Sequence, residues 1–334
     1  GRRMIDRERL ADLAAEVPAR SGVYRNRFPT PRHGLTAFLR WQWNTRGQFP
    51  RRQSFPLQQP DQQQLASPGQ QPQLTWIGHS TFLFQHRGWN LITDPVFSER
   101  CSPLSFAGPK RSVPPALTVD ELPAINAVLV SHNHYDHLDR TSVKQLQARF
   151  GREILWFVPN GIAAWLRKLG VERIIELGWW QSEYHGQVEA FCLPAQHFSG
   201  RGPGDHNRSL WCSWRLNFPD FSLYFAGDTG YAPLFREIGD IFGPVDLALL
   251  PIGAYEPRWF MSPVHINPAE AVTIHQDIRA RQSVAMHWGT FVLTDEPMDA
   301  PPRALAQALQ EQQIDSETFR VPQHGETLTI ELPS

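Results

Sequence analysis

The sequence predicts an α/β layered sandwich with mixed sheets, and three observations carry that expectation. Short apolar runs come first in clusters and then interleave with segments of helical periodicity. Histidines and aspartates stand directly behind several of these runs, where a strand would end. With 334 residues, 41% hydrophobic and 19% charged, the chain can bury a core and is not disordered wholesale.

From the N-terminus, residues 5–17 place apolar side chains at roughly helical spacing before Pro18, which predicts a short amphipathic helix. Residues 35–43 set Leu35, Phe38, Leu39, Trp41 and Trp43 among arginines. They read as a segment packed on the body or as an interfacial anchor, because Trp favours the headgroup region and Arg the anionic lipid surface. Residues 53–73 hold nine glutamines and four prolines in 21 positions, the composition of a linker. The expected organisation is a basic arm (1–52), a Gln/Pro-rich linker (53–73) and a compact domain (74–334). Within that domain strands are expected at 74–84, 89–93, 127–130, 154–158, 173–177, 187–193, 210–217, 222–226, 247–251, 283–287 and 327–332. Helices are expected at 140–150, 161–169, 233–241, 268–277 and 302–312. No internal repeat is visible.

The net charge of −1 conceals an asymmetry. Residues 1–52 carry 12 Arg, no Lys and 4 acidic residues, a balance of +8, while the remainder carries −9. An acidic body opposes nucleic-acid binding. No apolar run approaches about 18 residues, so no spanning helix is expected. Cys101, Cys192 and Cys212 are odd in number and lack CxxC spacing, which argues against a disulfide framework or a thiolate metal site. Residues 1–17 show no apolar secretory core, and the expected location is cytoplasmic, with peripheral contact at the inner membrane face.

The most informative residues are 131–139, SHNHYDHLD, directly behind the apolar run AVLV. His132, His134, Asp136 and His137 bring three imidazoles and a carboxylate into six positions, and these donors suit zinc and its borderline neighbours. One turn cannot close two coordination spheres, so further ligands are required at other strand ends. His197 behind FCLPAQ, Asp228 behind LYFAG and His287 behind SVAM meet that requirement.

HxHxDH with these three later residues resembles the metallo-β-lactamase superfamily. The stretches TWIGHSTFLF, LITDPVFS, GPKR, VLVSHNHYDHLD, LPAQH, FAGDTGY, GPVDLALLPIGAYEPRWFM and MHWGTF are similar to its N-acylphosphatidylethanolamine-hydrolysing phospholipase D branch and bacterial relatives, over residues 74–332. In the arm the similarity is thin, limited to the basic, Pro and Trp pattern of 24–46. The resemblance implies an αβ/βα four-layer sandwich and a zinc-dependent phosphodiesterase of phospholipase D type. It implies His132, His134 and His197 on a first Zn2+, Asp136, His137 and His287 on a second, and Asp228 bridging both. The native metal stays open among Zn, Fe and Mn. Two zincs about 3.5–4 Å apart would share a hydroxide that is available at neutral pH. Asp136 and Asp228 are thereby catalytic as well as ligating, and His265 in RWFMSPVHINP is expected close to the zincs as electrostatic support or leaving-group proton donor. The implied partner is a phospholipid substrate, cleaved to N-acylethanolamine and phosphatidic acid, with peripheral membrane contact through the 1–52 arm. A homodimer is left open.

Around this set, Asp94 and Asp246 are candidate partners for the second ring nitrogens, or plain strand caps. His79 resembles the family's residue beside the site. Lys110, Arg111 and Arg258 are candidates for phosphate or headgroup contact, and residues 198–209 for a flap presenting Arg201, His206 and Arg208. Trp179, Trp180, Trp211, Trp214 and Trp259 suit either core packing or an acyl-chain groove. Competing readings are a hydrolase of the same fold acting on a lactone, β-lactam or smaller phosphodiester, and a membrane-associated module with structural metals. A His/Asp set without thiolates weighs against the last, because structural zinc sites are closed and rich in Cys.

Overall fold

The structure, a computed structural model, describes residues 4–17 and 22–334. Its strands are β1 (Gln73–Gly78), β2 (Thr81–His86), β3 (Trp89–Thr93), β4 (Ala127–Leu129), β5 (Leu155–Pro159), β6 (Ile174–Leu177), β7 (Ser182–His185) and β8 (Val188–Leu193). There follow β9 (Ser213–Asn217), β10 (Ser222–Phe225), β11 (Val245–Pro251), β12 (Ala280–Met286), β13 (Phe319–Arg320) and β14 (Thr327–Thr329). They form two seven-stranded sheets, ordered β14-β1-β2-β3-β4-β5-β6 and β13-β12-β11-β10-β9-β8-β7. Both sheets are mixed: β1 to β3 and β7 to β10 pair antiparallel, while β3 to β6 and β10 to β13 pair parallel.

The helices are α1 (Arg7–Glu16), α2 (Leu35–Thr45), α3 (Gln62–Ala66), α4 (Arg140–Phe150), α5 (Ala163–Lys168), α6 (Leu234–Phe242), α7 (Arg258–Met261), α8 (Pro268–Asp277) and α9 (Ala300–Glu311). The pleat splits each inner strand between two cores. In β4, Val128 packs with Val143 and Leu146 of α4 and Leu166 of α5. Its neighbours Ala127 and Leu129 join the other core, which contains Leu223, Leu247 and Leu249 of the second sheet and residues of α6, α8 and α9. Helices therefore cover both outer faces, giving the four-layer αβ/βα sandwich that the resemblance implies.

Most expected elements appear within a few residues of their predicted bounds. The run 74–84 is two strands rather than one, because Gly78 (φ 143°) and His79 (φ 54°) turn the chain back in a hairpin. Apolar alternation continues across that turn and hides it. The polar edge strand β7 was not signalled, since its residues stay largely exposed and carry no buried face. In the glutamine-rich stretch, Asp61 caps α3 by accepting from Gln63 N and Gln64 N, and Leu65 is fully buried.

Residues ahead of that stretch lie against the body. Arg7 makes two 2.7 Å hydrogen bonds to the Glu189 carboxylate, and Asn26 exchanges hydrogen bonds with the backbone of His197. The Pro18 stop lies outside the described residues. Among those residues no helix is long and apolar enough to cross a membrane.

Candidate metal centre

The strand ends bring the expected residues to one edge of the sandwich. His132 and His134 follow β4, and the backbone N–H groups of His137 and Leu138 both donate to His134 O, folding Asp136 and His137 under the same edge. His197 follows β8, Asp228 follows β10 and His287 follows β12. Close backbone approaches need glycine here. A Cβ on Gly253 would lie 2.0 Å from His287 O, and one on Gly227 (φ 61°) would lie 2.5 Å from Ser131 Cβ. His79, Asp94 and His287 all hold positive φ, a cluster of backbone strain of the kind found at functional sites.

Two groups of potential ligand atoms result, each with its atoms within 4.8 Å of one another: His132, His134 and His197, and His79, Asp136, His137 and His287. Asp228 stands between them. Its Oδ2 lies 2.9 Å from His137 Nε2, 3.7 Å from His197 Nε2 and 3.9 Å from His132 Nε2, while Oδ1 lies 3.1 Å from His287 Nε2. These approaches are short yet poorly aligned as hydrogen bonds. His132 Nε2, His137 Nε2 and Asp228 Oδ1 are buried and have no hydrogen-bond partner among the described residues. Uncompensated burial of such atoms is costly, so the donor set fits divalent metal ions, which would satisfy all of them together.

Protonation in the protein alone points the same way. Burial, reinforced by neighbouring imidazoles, holds His132 well below its ordinary value. Burial likewise holds His197 well below, against the pull of Asp228, and lowers His134 to about 4, so all three rings are neutral. Burial would raise the Asp136 and Asp228 carboxyls, but the imidazoles around them hold both well below the usual carboxylate range. Burial would lower His137 and His287; Asp136 and Asp228 outweigh it, raising His137 well above its ordinary value and His287 to about 9. Those two rings carry the charge that cations would otherwise supply.

Supporting groups orient the rings. Asp94, fully buried behind β3, accepts from His137 Nδ1 at 2.6 Å, from Ser131 N at 2.7 Å and from Ser131 Oγ at 2.6 Å. His197 Nδ1 donates to Val264 O at 2.8 Å. Asp246 is not such a partner: it accepts from Ser222 N and Oγ at the start of β10, the end remote from Asp228. His265 joins His197 and Asp228 as a further group of close donor atoms, and burial lowers its ring to about 4.

A cavity of about 730 Å³ opens onto this edge, lined by His134, Asp136, His197, Asp228 and His265 at its floor. Its walls include Phe198, His206, Phe260 and, from the arm, Arg25, Arg32 and Trp41. The arm residues were not singled out as site residues, because nothing in local spacing shows that a segment so distant in sequence folds over the centre. The other cations expected near phosphate are engaged elsewhere. Lys110 pairs with Glu99, and buried Arg111 donates to Val96 O and Val113 O. Arg258 bonds Tyr255 O, His265 O and Glu270, and Arg201 bonds Asn133 O and Leu138 O. Trp179, Trp180, Trp211 and Trp214 are core residues, while Trp259 is 40% exposed.

The sequence profile of the β-lactamase superfamily domain matches residues 89–288. A relative named N-acyl-phosphatidylethanolamine-hydrolyzing phospholipase D 1, from Caenorhabditis elegans, is 45% identical over 65% of this chain and 64% of its own length. A mitochondrial protein of the same activity name from Saccharomyces cerevisiae is 40% identical over 66% of this chain and 48% of its own. The chain thus spans less than two thirds of these relatives. Among solved structures, a metallo hydrolase from Ignicoccus hospitalis superposes with a TM-score of 0.59 at 23% identity, over 78% of this chain and 98% of that one, a likeness of fold. With its two mixed sheets, its His/Asp edge and the domain match over residues 89–288, the chain belongs to the metallo-β-lactamase superfamily, and it is similar to the relatives named N-acyl-phosphatidylethanolamine-hydrolyzing phospholipase D.

Proposed function

We propose that the protein is a dinuclear, zinc-dependent phosphodiesterase of phospholipase D type, which hydrolyses N-acylphosphatidylethanolamine to N-acylethanolamine and phosphatidic acid. The observation that carries this reading is one cavity with three kinds of wall: a His/Asp floor, arginines Arg25 and Arg32, and aromatic Phe198, Phe260 and Trp41. A phospholipid diester presents a phosphate to the first two and apolar chains to the third. The named activity of the similar proteins supports the same substrate class.

His132, His134 and His197 would hold one ion, Asp136, His137 and His287 the other, with Asp228 between them. Such ions supply Lewis acidity toward phosphoryl oxygens and an activated water at neutral pH. The chain's own groups do the rest. Asp94 and Val264 O hold the His137 and His197 rings in orientation. Arg25 and Arg32 bind the anionic diester. Hydrolysis forms a bond from a water oxygen to phosphorus and breaks the bond to the acylated ethanolamine oxygen, which leaves with a proton that originates in that water; His265, neutral because burial lowers its ring to about 4, would hydrogen-bond the leaving oxygen.

The test is turnover of purified, metal-quantified protein on N-acylphosphatidylethanolamine beside a β-lactam and a lactone, with His197→Ala as the blank. The expected result is preferential cleavage of the phospholipid, abolished in the variant. A lactone or β-lactam as the best substrate overturns the reading.

A further inference from the structure

We propose that Asn26 is a positioning residue of the metal centre, which makes this part of the arm a working piece of the site rather than a cover laid over it. The inference deepens the dinuclear reading and rests on it. Strand β8 ends at Leu193, so His197 stands beyond the sheet ladder. One side chain takes the ladder's place: Asn26 Oδ1 accepts from His197 N at 3.1 Å, and Asn26 Nδ2 donates to His197 O at 2.9 Å. His197 is buried, and backbone groups withdrawn from water need such partners.

Neighbouring donors fix the orientation of the amide. Asn26 Oδ1 also accepts from Trp211 Nε1 at 2.9 Å, and that buried indole shares its proton with Ala195 O at 3.0 Å. Two N–H groups converge on Oδ1 while one carbonyl faces Nδ2, so a rotated amide would set its NH2 against two donors. The position needs an acceptor and a donor on one short side chain, and asparagine supplies both.

The flanking contacts press the same segment onto the ligand loop. Phe28 O accepts from Gln196 Nε2, and Tyr24 N donates to Asn207 O at 2.7 Å. Asn207 Oδ1 in turn accepts from Ser199 N at 3.1 Å, and Arg27 pairs with Glu237 of α6 at 2.9 Å. Residues 24–28 are thus tied to the chain on both sides of His197, with Asn26 on His197 itself. The ring is tethered separately, from Nδ1 to Val264 O at 2.8 Å. With main chain and Nδ1 both held, Nε2 has one placement toward His132 and His134. Metal ligation tolerates shifts of only a few tenths of an ångström, so freeing the His197 backbone should be felt at the first group of ligand atoms.

The test is competitive chelator titration of zinc on the full chain, comparing native protein with Asn26→Ala and with Asn26→Leu, which keeps the branched shape and removes the hydrogen bonds. His197→Ala identifies which affinity belongs to the first group. Both variants should weaken that affinity by at least about tenfold and leave the other at its native value, which also reports an intact fold. Turnover lost at limiting zinc should return as zinc is raised, with KM unchanged. Native affinities at both groups in the two variants overturn the proposal, as does equal weakening of both groups by Asn26→Leu. A raised KM at native zinc affinity overturns it too, since Asn26 would then hold the arm alone. Native protein that binds no zinc, or only zinc that His197→Ala leaves in place, would sink the metal reading itself and the proposal with it.

Discussion

His79 Nε2 lies 2.8 Å from Asp136 Oδ2, and the His79 ring sits 4.1 Å from that of His287. Burial lowers His79 to about 3, with His287 adding to the effect, so the ring is neutral and its Nε2–H donates to the carboxylate. That bond fixes which oxygen Asp136 turns toward the second group of ligand atoms. His79→Ala should therefore weaken metal binding at that group by about 10–100-fold, with the first group spared, and His79→Gln should restore part of it. Competitive chelator titration reads both affinities; equal values in native protein and the alanine variant would refute the positioning role.

Removing metal should cost stability. Orphaned nitrogens at His132 and His137 and an orphaned oxygen at Asp228 are buried together, and only the folded state assembles them. Free zinc at 100 times its dissociation constant should stabilise the protein by about 2.7 kcal/mol. Thermal melts across buffered zinc concentrations check this. A melting temperature independent of zinc would show that these residues bind none.

His265 shares its group with His197 and Asp228, yet no expected coordination sphere needs it. His265→Ala should lower turnover by about 10²–10⁴-fold while metal content stays native. Loss of metal alongside activity would make the residue structural.

The contact between α1 and the body should loosen in acid. Burial would raise the Glu189 carboxyl, but hydrogen bonds from Arg7 and Ser182 hold it below the usual carboxylate range. A carboxyl depressed in the folded state stabilises fully above its unfolded value, near about 4.3, and loses that contribution as pH falls through the folded value. Arg7 is half-exposed, so the contribution is below about 1 kcal/mol. The protection of amides 7–16, taken as exchange relative to the intrinsic rate at the same pH, should fall below about pH 4 in native protein, and Glu189→Gln should show the lower protection already at neutral pH. Native protection that is unchanged in acid would remove Glu189 as the latch.

Much of this molecule is written locally. The run AVLV followed by SHNHYDHLD states both a buried strand and a donor cluster, because apolar burial and metal ligation each impose a residue type at short spacing. FAGD and SVAMH repeat the statement, so the fold class was legible in the sequence, as were the seven candidate donors that the structure gathers at one edge. The local signal failed where the chain turns without changing composition, as at Gly78 and His79, and where an edge strand buries nothing, as in β7.

Pairings distant in sequence were beyond its reach. Asp94 follows β3 whereas Asp246 opens β11; the packing of β3 against β4 delivers Asp94 to His137, while Asp246 is left at the far end of the second sheet with Ser222. Arg25, Arg32 and Trp41 reached the cavity because residues 22–45 fold back over a centre whose first expected ligand, His132, lies more than eighty residues later. Sequence by itself determined which donors this protein possesses and the elements that carry them. Tertiary structure alone decided which of them meet, since the close approaches that align ligands, supports and arm depend on layers packed together from opposite ends of the chain.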